Sequence, residues 1–215
     1  MNGNSRMLQH LAKAPSEINL VSTMLDPAQQ VFLLTSAGSQ SGTTTSAVTL
    51  ANQLAKASMG QVLLIDASLS ATSITQQSDL RRAPGLLELL ENQTSEQLAA
   101  SVLSYPDLPF HLLPLGQRTA QSEQLIQEKT SQLLSLLKRH FRFIVIDADA
   151  VYASADTLIF SSLVDGVILV IGAEETRWEV AQAAALRLTQ NGATLLGSVF
   201  NRRKYYMPKW LYDQL

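Results

Sequence analysis

Residues Val31–Leu54 read VFLLTSAGSQSGTTTSAVTLANQL, and this stretch decides the fold. Its first part, Val31–Thr35, is an apolar run without polar alternation, which predicts a strand buried on both faces. A loop of small residues follows, Ser36–Gly42. From Thr43 the chain reads TTTSAVTLANQLAKA, a helix-compatible run. Strand, small-residue loop and helix in this order are the grammar of a phosphate-binding loop, G-x-x-x-x-G-K-[ST]. Here the corresponding positions are Ala37, Gly42, Thr43 and Thr44. Gly42 and the Thr44 hydroxyl are in place. The lysine that would neutralise the β- and γ-phosphates is replaced by Thr43.

The same alternation continues outward. Strands are predicted at Val31–Thr35, Val62–Asp66, Phe110–Pro114, Phe143–Asp147, Val167–Ile171 and Leu195–Phe200. Helices are predicted at Thr43–Lys56, Gly85–Asn92, Glu96–Leu103, Glu123–Arg139, Ala155–Ser162 and Arg177–Gln190. Apolar strands alternating with helices imply an α/β fold, a doubly wound, mostly parallel sheet with helices on both faces. Residues 26–215 are read as one such domain, and residues 1–25 as a mobile or loosely docked N-terminal arm. Ligands of these sheets sit at the carboxyl ends of the strands. Three strand ends there carry polar punctuation: the loop after Thr35, Asp66 in LLIDASLS and Asp147 in FIVIDADA. Two aspartates on strands that follow a phosphate loop form a functional pair in this reading.

Composition excludes several alternatives. The chain has 215 residues, 46% hydrophobic and 16% charged, with net charge −2, which is no footing for wholesale nucleic-acid binding. There is no cysteine, so thiol chemistry is absent. His10, His111 and His140 are too scattered to suggest a zinc site. No run reaches the ~20 apolar residues of a membrane span, and Leu158–Ala173 is interrupted by Asp165 and Gly166. A cytoplasmic protein is expected.

Five segments taken together resemble a known family. TSAGSQSGTTTSAVTLANQLA, VLLIDASLS, FRFIVIDADAV, LVDGVILVIGAEETR and LLGSVFNRRKYY, in this order, resemble the bacterial tyrosine kinase domains of capsule and exopolysaccharide systems. These are relatives of the MinD/ParA ATPases with a deviant Walker A loop. The resemblance runs from about Ser16 to the C-terminus. It implies nucleotide binding by Ala37, Gly38, Ser39, Gln40, Ser41, Gly42, Thr43, Thr44 and Thr45, with Asn201 near the adenine. It implies Thr44, Asp66 and Asp147 as the magnesium site, Asp66 being the Walker A′ and Asp147 the Walker B aspartate, both with catalytic roles. ATP or ADP with Mg²⁺ is the implied ligand; a chain that has lost its nucleotide altogether is the other reading.

The departures matter equally. Thr43 stands for the lysine, Gln40 for a glycine and Ser39 for a common proline. Ser68 replaces the second acid of the D-x-D in Walker A′. The oligomerisation pattern E-x-x-R-x-x-R reads Glu17, Leu20 and Thr23, without its arginines. The resemblance implies Tyr205, Tyr206 and Tyr212 as candidates for phosphorylation; the other readings are aromatics that pack a terminal helix, and a basic and aromatic docking patch in which Arg202, Arg203, Lys204 and Lys209 interleave with Tyr205, Tyr206 and Trp210. In AEETRWE, Thr176 is read as a helix N-cap with Glu179 three residues on. The resemblance implies a degenerate kinase-like accessory protein of exopolysaccharide biosynthesis or export. It would regulate a membrane chain-length or co-polymerase partner, peripheral at the inner membrane through it, and could form a homo-oligomer. The alternatives are an active tyrosine autokinase or ATPase completed by a cation from a partner or neighbouring subunit, and a MinD/ParA-like positioning ATPase.

Overall fold

The computed structural model describes residues 7–9, 28–59, 61–117 and 126–202. Seven strands form one sheet: β1 (Val31–Ser36), β2 (Val62–Asp66), β3 (Leu103–Ser104), β4 (His111–Leu113), β5 (Phe143–Asp147), β6 (Gly166–Gly172) and β7 (Leu195–Asn201). Their order is β3-β4-β2-β5-β1-β6-β7, and only the short β3 edge pairs antiparallel. Helices accompany them at α1 (Thr43–Ala57), α2 (Ile74–Gln77), α3 (Leu86–Glu91), α4 (Ser95–Ser101), α5 (Gln127–Leu137), α6 (Ala155–Ser161) and α7 (Trp178–Gln190).

Side chains alternate across each strand, so one apolar strand feeds two cores. Val31 and Leu33 join Leu63, Ile65, Ile144 and Ile146 in one core, closed by α3, α5, α6 and α7. Phe32 and Leu34 join Leu64, Val145, Ile168 and Val170 in the other, closed by α1 through Ala47, Leu50, Ala51 and Leu54. That is why β1, β2 and β6 are buried along their whole length. Leu8 is also fully buried in the α1-side core, and the Ser78 hydroxyl donates to Met7 Sδ at 3.6 Å. Within the expected arm, residues 7–9 therefore pack on the sheet; its other residues lie outside the described set.

Most predicted elements occur within a residue or two of their expected bounds. The start predicted for the Glu123–Arg139 helix falls at residues 118–125, outside the described residues. Three others differ. The end of the predicted Glu96–Leu103 helix is instead Ser101, because Leu103 and Ser104 pair with Leu112 and His111 as β3. The one-turn α2 was not predicted; Ser73 caps it by accepting from the Gln76 amide. β7 is an edge strand with Phe200 exposed, not a strand buried on both faces.

Asp165, which broke the apolar run, holds the sheet together. Its carboxylate accepts from the Val31 and Gln30 amides at 2.8 and 2.9 Å and from Lys138 Nζ at 2.9 Å. Burial pushes its pKa up, but these donors outweigh it and leave the group below the ordinary 3.8. The stability it contributes is thus present above 3.8 and lost as pH falls through the lowered value. Asp165→Ala is expected to cost about 2 kcal/mol, discounted for solvent screening of the lysine pair, in urea unfolding at neutral pH. The difference from wild type should shrink in acid.

Candidate functional site

β1 delivers the chain to a loop that turns back on itself before α1. Ser36 Oγ and Ser41 Oγ both donate to the Gly38 carbonyl, at 2.7 and 2.9 Å. Asn201 Nδ2, at the end of β7, donates to the Ser41 carbonyl at 3.0 Å. Loop carbonyls are thus tied back by side chains. The first turn of α1 carries no side-chain cap, so its amides keep the unfilled donors of a helix N-terminus. A 15-residue helix aimed this way is suited to a phosphate.

Gly42 opens α1 at φ 85°, and a Cβ there would overlap the Asn201 side-chain amide. Both the backbone turn and the close approach require glycine. Gln40 adopts φ 60°, the left-handed conformation that its glycine counterpart would take freely. The loop therefore keeps its path without that glycine, at a cost of roughly 1–2 kcal/mol. The exposed Gln40 lines the rim of the cavity.

That cavity has a volume of about 530 Å³. Ser39–Thr45 line one side, while Ala37 is buried behind them. Ser68 and Leu69, from the end of β2, and Ala148 and Asp149, from the end of β5, line the other. The two aspartates predicted from the strand ends are not among the residues that line it. Asp66 and Asp147 are direct neighbours in the parallel β2–β5 pairing and are 0% and 1% exposed.

Their surroundings differ. Asp66 accepts from the Thr75 amide at 2.6 Å and the Ser68 amide at 3.2 Å. Burial raises its pKa, and those bonds offset part of the rise. Asp147 has no hydrogen bond of ordinary geometry to either carboxylate oxygen. Burial pushes its pKa well above 3.8, and the negative charges of Asp66 and Asp149 push it further; the Thr44 hydroxyl, facing it without closing a full hydrogen bond, lowers it only in part. A buried, orphaned carboxylate beside a hydroxyl is half of a hard-cation site. Among the described residues, no three carboxylate or imidazole groups converge to hold a metal alone. Carboxylate and hydroxyl oxygens are the donor types magnesium takes, one or two carboxylates with water and substrate phosphates completing its shell.

Two residues here were not foreseen. Asp149 accepts from the Ser68 hydroxyl and, at 2.8 Å, from the Leu69 amide. Its own carbonyl accepts from Thr35 and Thr157. The sequence signal is the matching pair of exits: β2 leads from Asp66 into Ala67-Ser68 and β5 from Asp147 into Ala148-Asp149, with Asp66 and Asp147 paired. The acid missing at position 68 is met by one at 149. Arg202, grouped above with the docking patch, lies on the cavity rim. Thr176 does not cap α7: Arg177 is the N-cap, without a side-chain bond, and the Thr176 amide instead closes the turn after β6 on Gly172. Tyr205, Tyr206 and Tyr212 lie outside the described residues.

Parallel sheet, phosphate-loop turn and paired strand-end aspartates define a P-loop domain of the MinD/ParA kind. Comparison with known proteins bears this out. The crystal structure of the VpsO kinase domain superposes with a TM-score of 0.76 at 30% identity, covering 93% of this chain and 96% of that one. The putative tyrosine-protein kinase CapB of Staphylococcus aureus is 28% identical over 172 residues, 80% of this chain and 74% of that protein. MinD of Pyrococcus horikoshii, complexed with Mg-ADP, shares the fold at TM-score 0.64 and 19% identity, covering 86% of this chain and 76% of that one. No family model matches the chain. The chain belongs to the bacterial tyrosine kinase family. No helix among the described residues is long and apolar enough to cross a membrane.

Proposed function

We propose that this protein binds Mg-ATP and Mg-ADP at the Ser39–Thr45 loop and turns ATP over far more slowly than an intact kinase. The observation that carries the reading is the pairing of a cradle-shaped loop with the orphaned Asp147 carboxylate, over a loop whose lysine position is Thr43. In this reading Thr44, Asp147 and Asp66 hold magnesium, which would neutralise phosphate charge. The loop amides orient the phosphates, and Asn201 fixes the loop and borders the base.

Its task is regulation within an exopolysaccharide biosynthesis and export system, docked on a membrane co-polymerase and so peripheral to the inner membrane. Family likeness supports this destination. A surface with Trp178 72% exposed and Leu186 55% exposed on α7 is available for a partner.

The test is turnover beside binding. Kinases run at about 1–100 s⁻¹. With binding intact, phosphate release is expected roughly a hundred- to thousand-fold below that range. Mass spectrometry should find no phosphate on Tyr205, Tyr206 or Tyr212 after incubation with Mg-ATP. Stoichiometric phosphate there would replace this reading by that of an active autokinase.

A further inference from the structure

Replacing the lysine with Thr43 leaves the loop without its positive charge, and the fold brings another one to the same cavity. Among the described residues that line it, Arg202 carries the only positive charge and Asp149 the only negative one. Arg202 follows β7, whose last residue, Asn201, is pinned twice. Its side chain donates to the Ser41 carbonyl of the loop, and its own carbonyl accepts from the Ala173 amide at 2.8 Å. The residue after this anchor is therefore held at a fixed distance from the loop.

At Arg202 the backbone takes φ 60°, a left-handed conformation that a long-chain residue rarely adopts. Such conformations persist where the surroundings over-determine them, and they cluster at ligand sites. Arg202 lines the cavity, and its Nη1 meets Glu175 Oε2, a residue outside that lining, at 3.3 Å. That pair is exposed, 46% and 55% for the two side chains, so it is weak and separates readily. A guanidinium offers a planar fork of donors that fits a phosphate better than it fits one carboxylate oxygen at 3.3 Å.

We infer that Arg202 supplies, within the same chain, the phosphate-binding cation that position 43 lacks, and that Glu175 holds it aside when the cavity is empty. The inference rests on the proposed nucleotide binding and goes beyond it, since it names the replacement for the lysine and a latch that restrains it. The ligand class is a nucleoside di- or triphosphate; a nucleoside without phosphates does not engage Arg202.

The experiment is a set of Mg-ATP and adenosine titrations on the full chain, by calorimetry, with circular dichroism to verify folding. Arg202→Ala is expected to weaken Mg-ATP binding about 10- to 100-fold and to leave adenosine unaffected. Glu175→Gln is expected to tighten Mg-ATP roughly two- to fivefold by freeing the guanidinium. In the double variant that gain should vanish, which a general change in surface charge would not produce. T43K placed in the Arg202→Ala background should restore affinity. Unchanged Mg-ATP affinity in Arg202→Ala, with wild type binding normally, overturns the inference alone. A Glu175→Gln gain that survives removal of Arg202 overturns the latch. Wild type that binds no Mg-ATP overturns both the inference and the reading beneath it.

Discussion

T43K is expected to raise Mg-ATP hydrolysis about 100- to 1000-fold while shifting nucleotide affinity less than about tenfold. Thr43 is the first residue of α1 and lines the cavity, so a lysine there starts where the loop motif places it. Its ammonium would meet charge that develops on the transferring phosphate. One well-placed charge-assisted contact in a water-poor site contributes about 3–4 kcal/mol to the transition state. Ground-state binding gains less, because loop amides, metal and the Arg202 guanidinium already serve it. A lysine at a helix N-terminus opposes the helix dipole, which lowers stability by only about 0.5 kcal/mol. Steady-state phosphate release on wild type and T43K reads the effect. If the rate does not move, the defect lies elsewhere in the pocket, and the single missing side chain is not what makes this chain slow.

Asp147→Asn is expected to stabilise the ligand-free protein while removing the magnesium dependence of nucleotide binding. Asp147 is a buried carboxylate with both oxygens unpartnered. Leaving such a group unsatisfied costs about 1–3 kcal/mol. The isosteric amide removes the buried charge but is itself short of partners, so a gain of about 1 kcal/mol, or roughly 2–4 °C in Tm, is expected. The pH dependence has a definite sign. The folded-state pKa is raised, so between 3.8 and that higher value the folded chain keeps a proton that the unfolded chain has lost. Stability therefore falls as pH rises through this window. Asp165 acts below 3.8 and in the opposite direction, so the two are separable. Asp147→Asn should flatten the fall above 3.8. A variant less stable than wild type at pH 7 would mean that the carboxylate is satisfied by the fold itself.

Much of this was legible in the chain because the decisive patterns are local. An unbroken run such as VFLLT must be buried on both faces, and small residues followed by TTTSAVTLANQL must turn and then coil. Asp66 and Asp147 stood out as acids ending apolar runs, and β-pairing places them side by side. What escaped depends on distant neighbours. Leu103 reads as the last turn of a helix until Leu112 lies beside it. Thr176 has the spacing of a cap, but the chain spends that residue on the turn in which Glu174 is left-handed. Asp149 looks like a spacer two residues past a motif; its role appears only when Ser68, on another strand, donates to it. Arg202 reads as part of a basic tail, and only the Asn201–Ser41 bond brings it to the phosphate loop.

The most direct test of the central claim is calorimetric titration of the whole protein with Mg-ATP and Mg-ADP, repeated in EDTA. Saturable, micromolar binding that weakens when magnesium is removed is expected. No heat and no thermal stabilisation at millimolar nucleotide would contradict it, leaving the loop a relic of its fold and the function to the surfaces around it.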